Sequence, residues 1–116
     1  MLKILIAEDN ARMRKMLRRI LARHLPNRVQ FYECEDGECA VSMANEHQPD
    51  WILMDIKMPE KDGFLASREI LQNRPEARII FVSNFNDPAY QDKAQRMGIY
   101  RYVLKDNLFE LLNFFK

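Results

Sequence analysis

Trp51-Ile52-Leu53-Met54-Asp55-Ile56-Lys57-Met58-Pro59-Glu60-Lys61-Asp62-Gly63 is the stretch on which the reading of this chain turns. Its apolar run is too short for a helix and is bounded by turn residues, so it reads as a buried strand. The strand ends on a single carboxylate, Asp55, and a turn built on Pro59, Asp62 and Gly63 follows at once. A buried strand that ends on an aspartate delivers that side chain to the C-terminal edge of a sheet. In open α/β sheets ligands bind at that edge.

Upstream, Leu2-Lys3-Ile4-Leu5-Ile6-Ala7 is another compact apolar strand, ending on Glu8-Asp9-Asn10. A basic helix follows, with Met13, Met16, Leu17, Ile20 and Leu21 at helical spacing and Leu25 extending the stripe, until Pro26-Asn27 stops it. Its other faces carry Arg12, Arg14, Lys15, Arg18, Arg19 and Arg23. With no aromatics interleaved and a net charge of only +1, this run is expected to be a solvated face rather than a nucleic-acid patch. Val29 to Cys34 reads as a strand. Asp36-Gly37-Glu38 opens a helix to about His47 with Ala40, Met43 and Ala44 inward, and Gln48-Pro49-Asp50 breaks the chain before Trp51.

Downstream, a helix is expected from Phe64 to Asn73 with Ile70 and Leu71 on its apolar side. Arg74-Pro75-Glu76 makes a turn, and a strand from Ala77 to Val82 ends on Ser83. Asp87 caps a helix that has Pro88 in its first turn and Gly98 just past its end. Tyr100 to Leu104 is a short strand ending on Lys105. Asn107 and Glu110 are spaced like a capping box before a last helix with Leu108, Leu111, Leu112 and Phe115 in its stripe. Phe109 and Phe114 fall off that stripe, either exposed or packed on the end of the sheet.

Strand and helix alternate five times over 116 residues with short connections and no repeat. That alternation predicts one α/β domain over residues 1–116: a doubly wound, five-stranded parallel sheet with five helices on its two faces. The strands are continuous apolar runs, as expected when both faces are covered. No run approaches the roughly 18 apolar residues of a membrane span, and no signal peptide is recognised, so the cytoplasm is the expected location and no membrane partner is expected. Cys34 and Cys39 are too few for a disulfide framework or a zinc site.

Glu8 with Asp9, Asp55, Ser83 and Lys105 all stand at strand ends. Singly, each reads as a polar residue facing water; in a parallel sheet all four ends share one edge and the groups converge. Three clustered carboxylates repel, each pair at about 4 Å costing on the order of 4 kcal/mol at an effective dielectric near 20. Lys105 offsets part of that. Oxygen ligands without clustered His or Cys suit magnesium for the remainder.

With Glu8-Asp9, Asp55-x-x-Met58-Pro59-x-x-Asp62-Gly63, Ser83 and Gly98-x3-Tyr102-Val103-Leu104-Lys105 in this order, the chain resembles the receiver domain of two-component response regulators over essentially its whole length. The resemblance implies the flavodoxin-like strand order 2-1-3-4-5. It implies that Asp55 accepts a phosphoryl group from a phosphohistidine on a sensor histidine kinase or phosphotransfer protein. Mg2+ would be held by Asp9, Asp55 and the backbone carbonyl of Lys57, with Glu8 acting mostly through metal-bound water. Lys105 would pair with the phosphoryl group, Ser83 would donate its hydroxyl to it, and Tyr102 would turn inward as the switch aromatic. The first helix would also help dock the kinase.

Asn84 after Ser83 departs from the usual small residue, and Tyr100 is a second aromatic near the switch position. The Lys105-Asp106 ending resembles the subfamily joined to helix-turn-helix DNA-binding domains. The expected role is therefore a phosphorylation-dependent switch, not an enzyme on external substrates. It would regulate transcription through an output domain absent from this chain, with a homodimer on phosphorylation. The alternative is a magnesium-dependent aspartyl-phosphate hydrolase of the haloacid dehalogenase type. That class carries Asp-x-Asp at the end of the first strand, where this chain has Glu8-Asp9-Asn10.

Overall fold

A computed structural model describes residues 1–26 and 28–115. Strands β1 (Leu2–Ala7), β2 (Val29–Cys34), β3 (Trp51–Met54), β4 (Ile79–Ser83) and β5 (Arg101–Leu104) form one sheet in the order β2-β1-β3-β4-β5. Every pair is parallel. Helices α1 (Ala11–His24), α2 (Gly37–His47), α3 (Gly63–Asn73) and α4 (Pro88–Met97) connect them, and a fifth helix, of 3₁₀ type, closes the chain at Lys105–Asn113. The doubly wound topology and the flavodoxin-like strand order are as expected.

The period of two along each strand sorts its side chains between two cores. Leu5, Ala7, Ile52, Met54, Ile79 and Phe81 face α2, α3 and α4. Ile4, Ile6, Leu53, Ile80, Val82 and Val103 face Leu17 and Leu21 of α1 and Leu108 and Leu111 of the last helix. Each of these Val, Leu, Ile, Met and Phe side chains contributes about 1.5–3 kcal/mol of transfer free energy when fully buried.

Helix starts follow the local chemistry. The side chains of Asn10, Asp36, Asp62 and Asp87 each accept a backbone N–H in the first turn of the helix they precede. Gly98 ends α4 at φ 92°, a left-handed conformation that favours glycine.

Several local expectations are corrected, refined or decided. Strand β4 starts at Ile79, because the Ala77 N–H is spent on the Arg74 carbonyl in the preceding turn. Met16 is 46% exposed: it sits about 100° around α1 from Leu17, which takes the centre of the buried stripe. The last helix is kinked at Asn107, whose backbone is non-helical as at a helix start. Its side chain pairs with Glu110 as the spacing suggested, but through its amide donating to the carboxylate at 3.0 Å rather than by capping a backbone N–H. Phe109 is exposed, whereas Phe114 packs against the core beside Tyr100. The expected stop at Pro26-Asn27 lies partly outside the described residues; α1 ends at His24, with the Leu25 N–H on the Leu21 carbonyl. No described helix is long and apolar enough to cross a membrane.

Candidate functional site

Register brings the strand ends together. Ala7 pairs with both Cys34 and Met54, and Met54 pairs with Phe81. The ladder continues one step further, with the Asp55 N–H on the Ala7 carbonyl and the Glu8 N–H on the Cys34 carbonyl, each 2.9 Å. Glu8 and Asp55 therefore leave the sheet side by side.

One oxygen from each of Glu8, Asp9 and Asp55 lies within 4.8 Å of the others. Lys105 Nζ stands 2.8 Å from Glu8 Oε1 and 3.4 Å from Asp55 Oδ2. Glu8 and Asp55 are buried, while Asp9 is exposed. Asp55 Oδ1 accepts from the Ile56 N–H at 2.9 Å, and Glu8 Oε2 from the Asn10 N–H at 3.1 Å. With Asn10, Lys57, Asn84 and Phe85 these residues line an open cleft of about 420 Å³.

One ammonium does not balance two buried carboxylates and a third at the rim. Burial, reinforced by the Asp55 charge, pushes the Glu8 carboxyl up to about 7 against the opposing effects of Lys105 and the Asn10 N–H. Burial also raises Asp55, although Lys105 and the Ile56 N–H oppose it. For Lys105 burial alone would lower the pKa, but Glu8 and Asp55 outweigh it and the net direction is up. Glu8 Oε1 is buried and, despite its closeness to Lys105, has no aligned hydrogen-bond donor. A hard, oxygen-seeking divalent cation fits this donor set: it would supply the missing charge and use the orphaned oxygen.

The remaining expected residues lie around this centre. Lys57 is on the cleft wall, with its ammonium 5.6 Å from the centre of the Phe85 ring. Ser83 is fully buried, and its Oγ accepts the Phe85 N–H at 3.0 Å. Tyr102 is half-buried, edge-on to Phe81, and its hydroxyl donates to the Phe85 carbonyl at 2.6 Å. Glu8, Asp9, Asp55 and Lys105 thus meet directly, whereas Ser83 at the end of β4 and Tyr102 in β5 reach the cleft through Phe85, to which both are bonded.

Glycine at 63 is dictated by close approach. A Cβ there would lie 2.2 Å from the Asp55 carbonyl oxygen, and the Gly63 N–H donates to the Ile56 carbonyl at 2.8 Å. The turn after Asp55 is folded back onto the residue it follows. Two contributors escaped the sequence reading. Asn10 both caps α1 and braces Glu8, and an Asn just before a helical stripe was the available signal. Arg14 had none in its spacing: it leaves the solvated face to donate to the Glu8 carbonyl at 2.7 Å.

Residues 4–114 match the family model described as the response regulator receiver domain. The chain is 37% identical to the chemotaxis protein CheY of Bacillus subtilis over 115 residues, covering 96% of this chain and 94% of that protein. It is 34% identical to the transcriptional regulatory protein DegU of Brevibacillus brevis over 105 residues, 90% of this chain and 44% of DegU. It spans about half or less of DegU and of the other transcriptional regulatory proteins it matches. Among solved structures it is similar to a LuxR-family DNA-binding response regulator from Staphylococcus aureus, with a TM-score of 0.88, 26% identity and coverage of 97% and 94% of the two chains. It is also similar to the response regulator domain of Thermotoga maritima CheB, with a TM-score of 0.85, 29% identity and coverage of 97% and 88%. On these matches and this fold, the chain belongs to the response regulator receiver domains, the phosphorylation-dependent signalling switches of two-component systems.

Proposed function

We propose that Asp55 is the phosphoacceptor of this switch and that Glu8, Asp9, Asp55 and Lys105 form the machinery around it. The observation that carries this reading is the convergence of three carboxylates within 4.8 Å, with Lys105 2.8 Å from Glu8 and 3.4 Å from Asp55. Asp55 Oδ1 is engaged by Ile56, which leaves Oδ2 to attack phosphorus. Its bond to phosphorus forms as the bond to the donor's imidazole nitrogen breaks, and the product is an acyl phosphate. Lys105 draws toward the phosphoryl oxygens as a point charge.

Asp9, Asp55 and the Lys57 carbonyl would hold Mg2+, with Glu8 acting mostly through water; the cation would supply neutralisation of charge on the transferring group. Ser83 gives up its bond from the Phe85 N–H and turns its hydroxyl to the phosphoryl group. Tyr102 follows the loop inward. A new charge of roughly −1.5 to −2 biases that loop between two arrangements.

The donor would be a phosphohistidine on a sensor histidine kinase or phosphotransfer protein. The names of DegU and of the staphylococcal protein support a role in transcription, exerted through an output domain outside this chain. Phosphorylation would also favour a homodimer. The chemistry is self-directed: the acyl phosphate hydrolyses and the switch resets.

The test uses a small acyl-phosphate donor with Mg2+ and intact-mass detection. Wild type is expected to gain one phosphoryl group, and Asp55→Asn to gain none. Labelling that survives Asp55→Asn, or steady multiple turnover of a sugar phosphate as a dehalogenase-type hydrolase would give, overturns the assignment.

A further inference from the structure

The spacing of α1 puts Arg14 among its solvated cations, yet its side chain is only 14% exposed. All three guanidinium nitrogens are engaged: Nη1 donates to the Glu8 carbonyl at 2.7 Å, Nε to Glu33 Oε1 at 3.1 Å and Nη2 to Glu35 Oε1 at 3.4 Å. The fork joins α1 to the end of β1, to β2 and to the loop after β2. The Glu8 carbonyl belongs to the peptide that links Glu8 to Asp9. Holding that plane restricts ψ of Glu8 and φ of Asp9, the torsions that aim both carboxylates.

We propose that Arg14 is a positioning residue for the divalent-cation site, fixing the Glu8–Asp9 peptide so that both carboxylates face Asp55. The inference rests on the reading of Glu8, Asp9 and Asp55 as cation ligands. Glu33 and Glu35 matter to it as well. They pair with the guanidinium charge, so Arg14 orients the peptide with little repulsion of the cation. Planarity matters too, because one ammonium cannot serve three acceptors in a fixed fork.

The fold provides its own control. Arg18 also reaches from α1 to Glu33 but makes no bond to Glu8. If Arg14 were only a staple between α1 and β2, removing either arginine would have the same consequence.

The full chain is titrated with Mn2+ by calorimetry, and metal-free unfolding is followed in parallel. Arg14→Met is expected to weaken Mn2+ binding about tenfold, the range for groups that orient metal ligands. Arg18→Met is expected to change it less than about twofold, as for an exposed ion pair. Equal losses in the two variants, or wild-type affinity in Arg14→Met, overturn the proposal. Should Arg14→Met fail to fold, Arg14→Lys decides: affinity lowered about threefold with an unchanged unfolding midpoint supports the role, and wild-type affinity overturns it. A wild-type chain that binds no Mn2+ overturns the cation-site reading and this inference with it. Binding lost in Asp55→Asn but unaltered in both Arg14 variants overturns this inference alone.

Discussion

Helix α3 buries Gly63, Phe64, Ala66, Ser67 and Ile70, whereas α4, one residue shorter, buries Ala94 alone. The strands beside them differ in the same way: all of β3 is buried, but only Val103 of β5. Asp55 ends β3, on the packed side. Ser83 is the last fully buried residue before a run from Asn84 to Ala89 that is exposed throughout. The molecule therefore anchors its carboxylates in the part that resists movement and hangs Phe85, α4 and Tyr102 on the part that yields. Free energies of local opening follow buried apolar contacts, so the phosphoryl charge proposed for Asp55 would find its compliant partner in residues 84–102.

Glycine substitutions test this contrast most strongly. Gly63→Ala forces a Cβ to 2.2 Å from the Asp55 carbonyl oxygen, and because both sides are backbone the clash cannot be relieved by a rotamer change. A loss on the order of 3 kcal/mol or more is expected in urea unfolding. Gly98→Ala meets nothing within 4 Å and pays only for its φ of 92°, about 1 kcal/mol. Equal losses would mean that the two sides are packed alike.

Much of this arrangement was legible beforehand, for a physical reason. In a parallel sheet every strand end lies on one edge, so five alternations put Glu8, Asp55, Ser83 and Lys105 on that edge. The strand order implied by the family resemblance then made β1 and β3 neighbours. Glu8, Asp55 and Lys105 do meet, while Ser83 is bonded to Phe85 instead. The start and end of α4 were legible because Asp87, Pro88 and Gly98 act through their own backbone. What escaped depends on neighbours distant in sequence. Arg14 turns inward only because β2 lies beside β1 and presents Glu33, with Glu35 just beyond it. Gly63 reads as a turn residue, and its real constraint is the Asp55 carbonyl it presses against. The 3₁₀ hydrogen bonding of the last helix left no trace in its apolar stripe, which serves either kind of helix.

The next effect belongs to the packed side and appears in a chelator, with no divalent ion bound. Burial raises the Glu8 carboxyl from its ordinary range to about 7. Between those values the folded chain keeps a proton that the unfolded chain has released, so stability must fall as pH rises through that window. The loss is expected to be about 2 kcal/mol between about pH 5 and pH 8, read from urea midpoints. Glu8→Gln should flatten the slope, and Mg2+ should restore stability at the upper end. A slope untouched by Glu8→Gln would place the effect elsewhere.

The smallest expected change lies on the yielding side. Tyr102→Phe keeps the ring against Phe81 and removes only the hydroxyl that donates to the Phe85 carbonyl. A neutral hydrogen bond is worth about 1 kcal/mol net, and Phe85 is exposed enough for water to take over its carbonyl, so the global loss should fall at or below that figure. The local consequence is larger than the global one. The carbonyl that Tyr102 holds belongs to the residue whose N–H holds Ser83 Oγ, so freeing it loosens the segment between Ser83 and α4. Amide exchange should therefore quicken from Asn84 into α4 while β3 and α3 keep their protection. Faster exchange spread evenly over both sides would mean that Tyr102 braces the whole fold, and the division of the molecule into an anchored and a compliant part would fail.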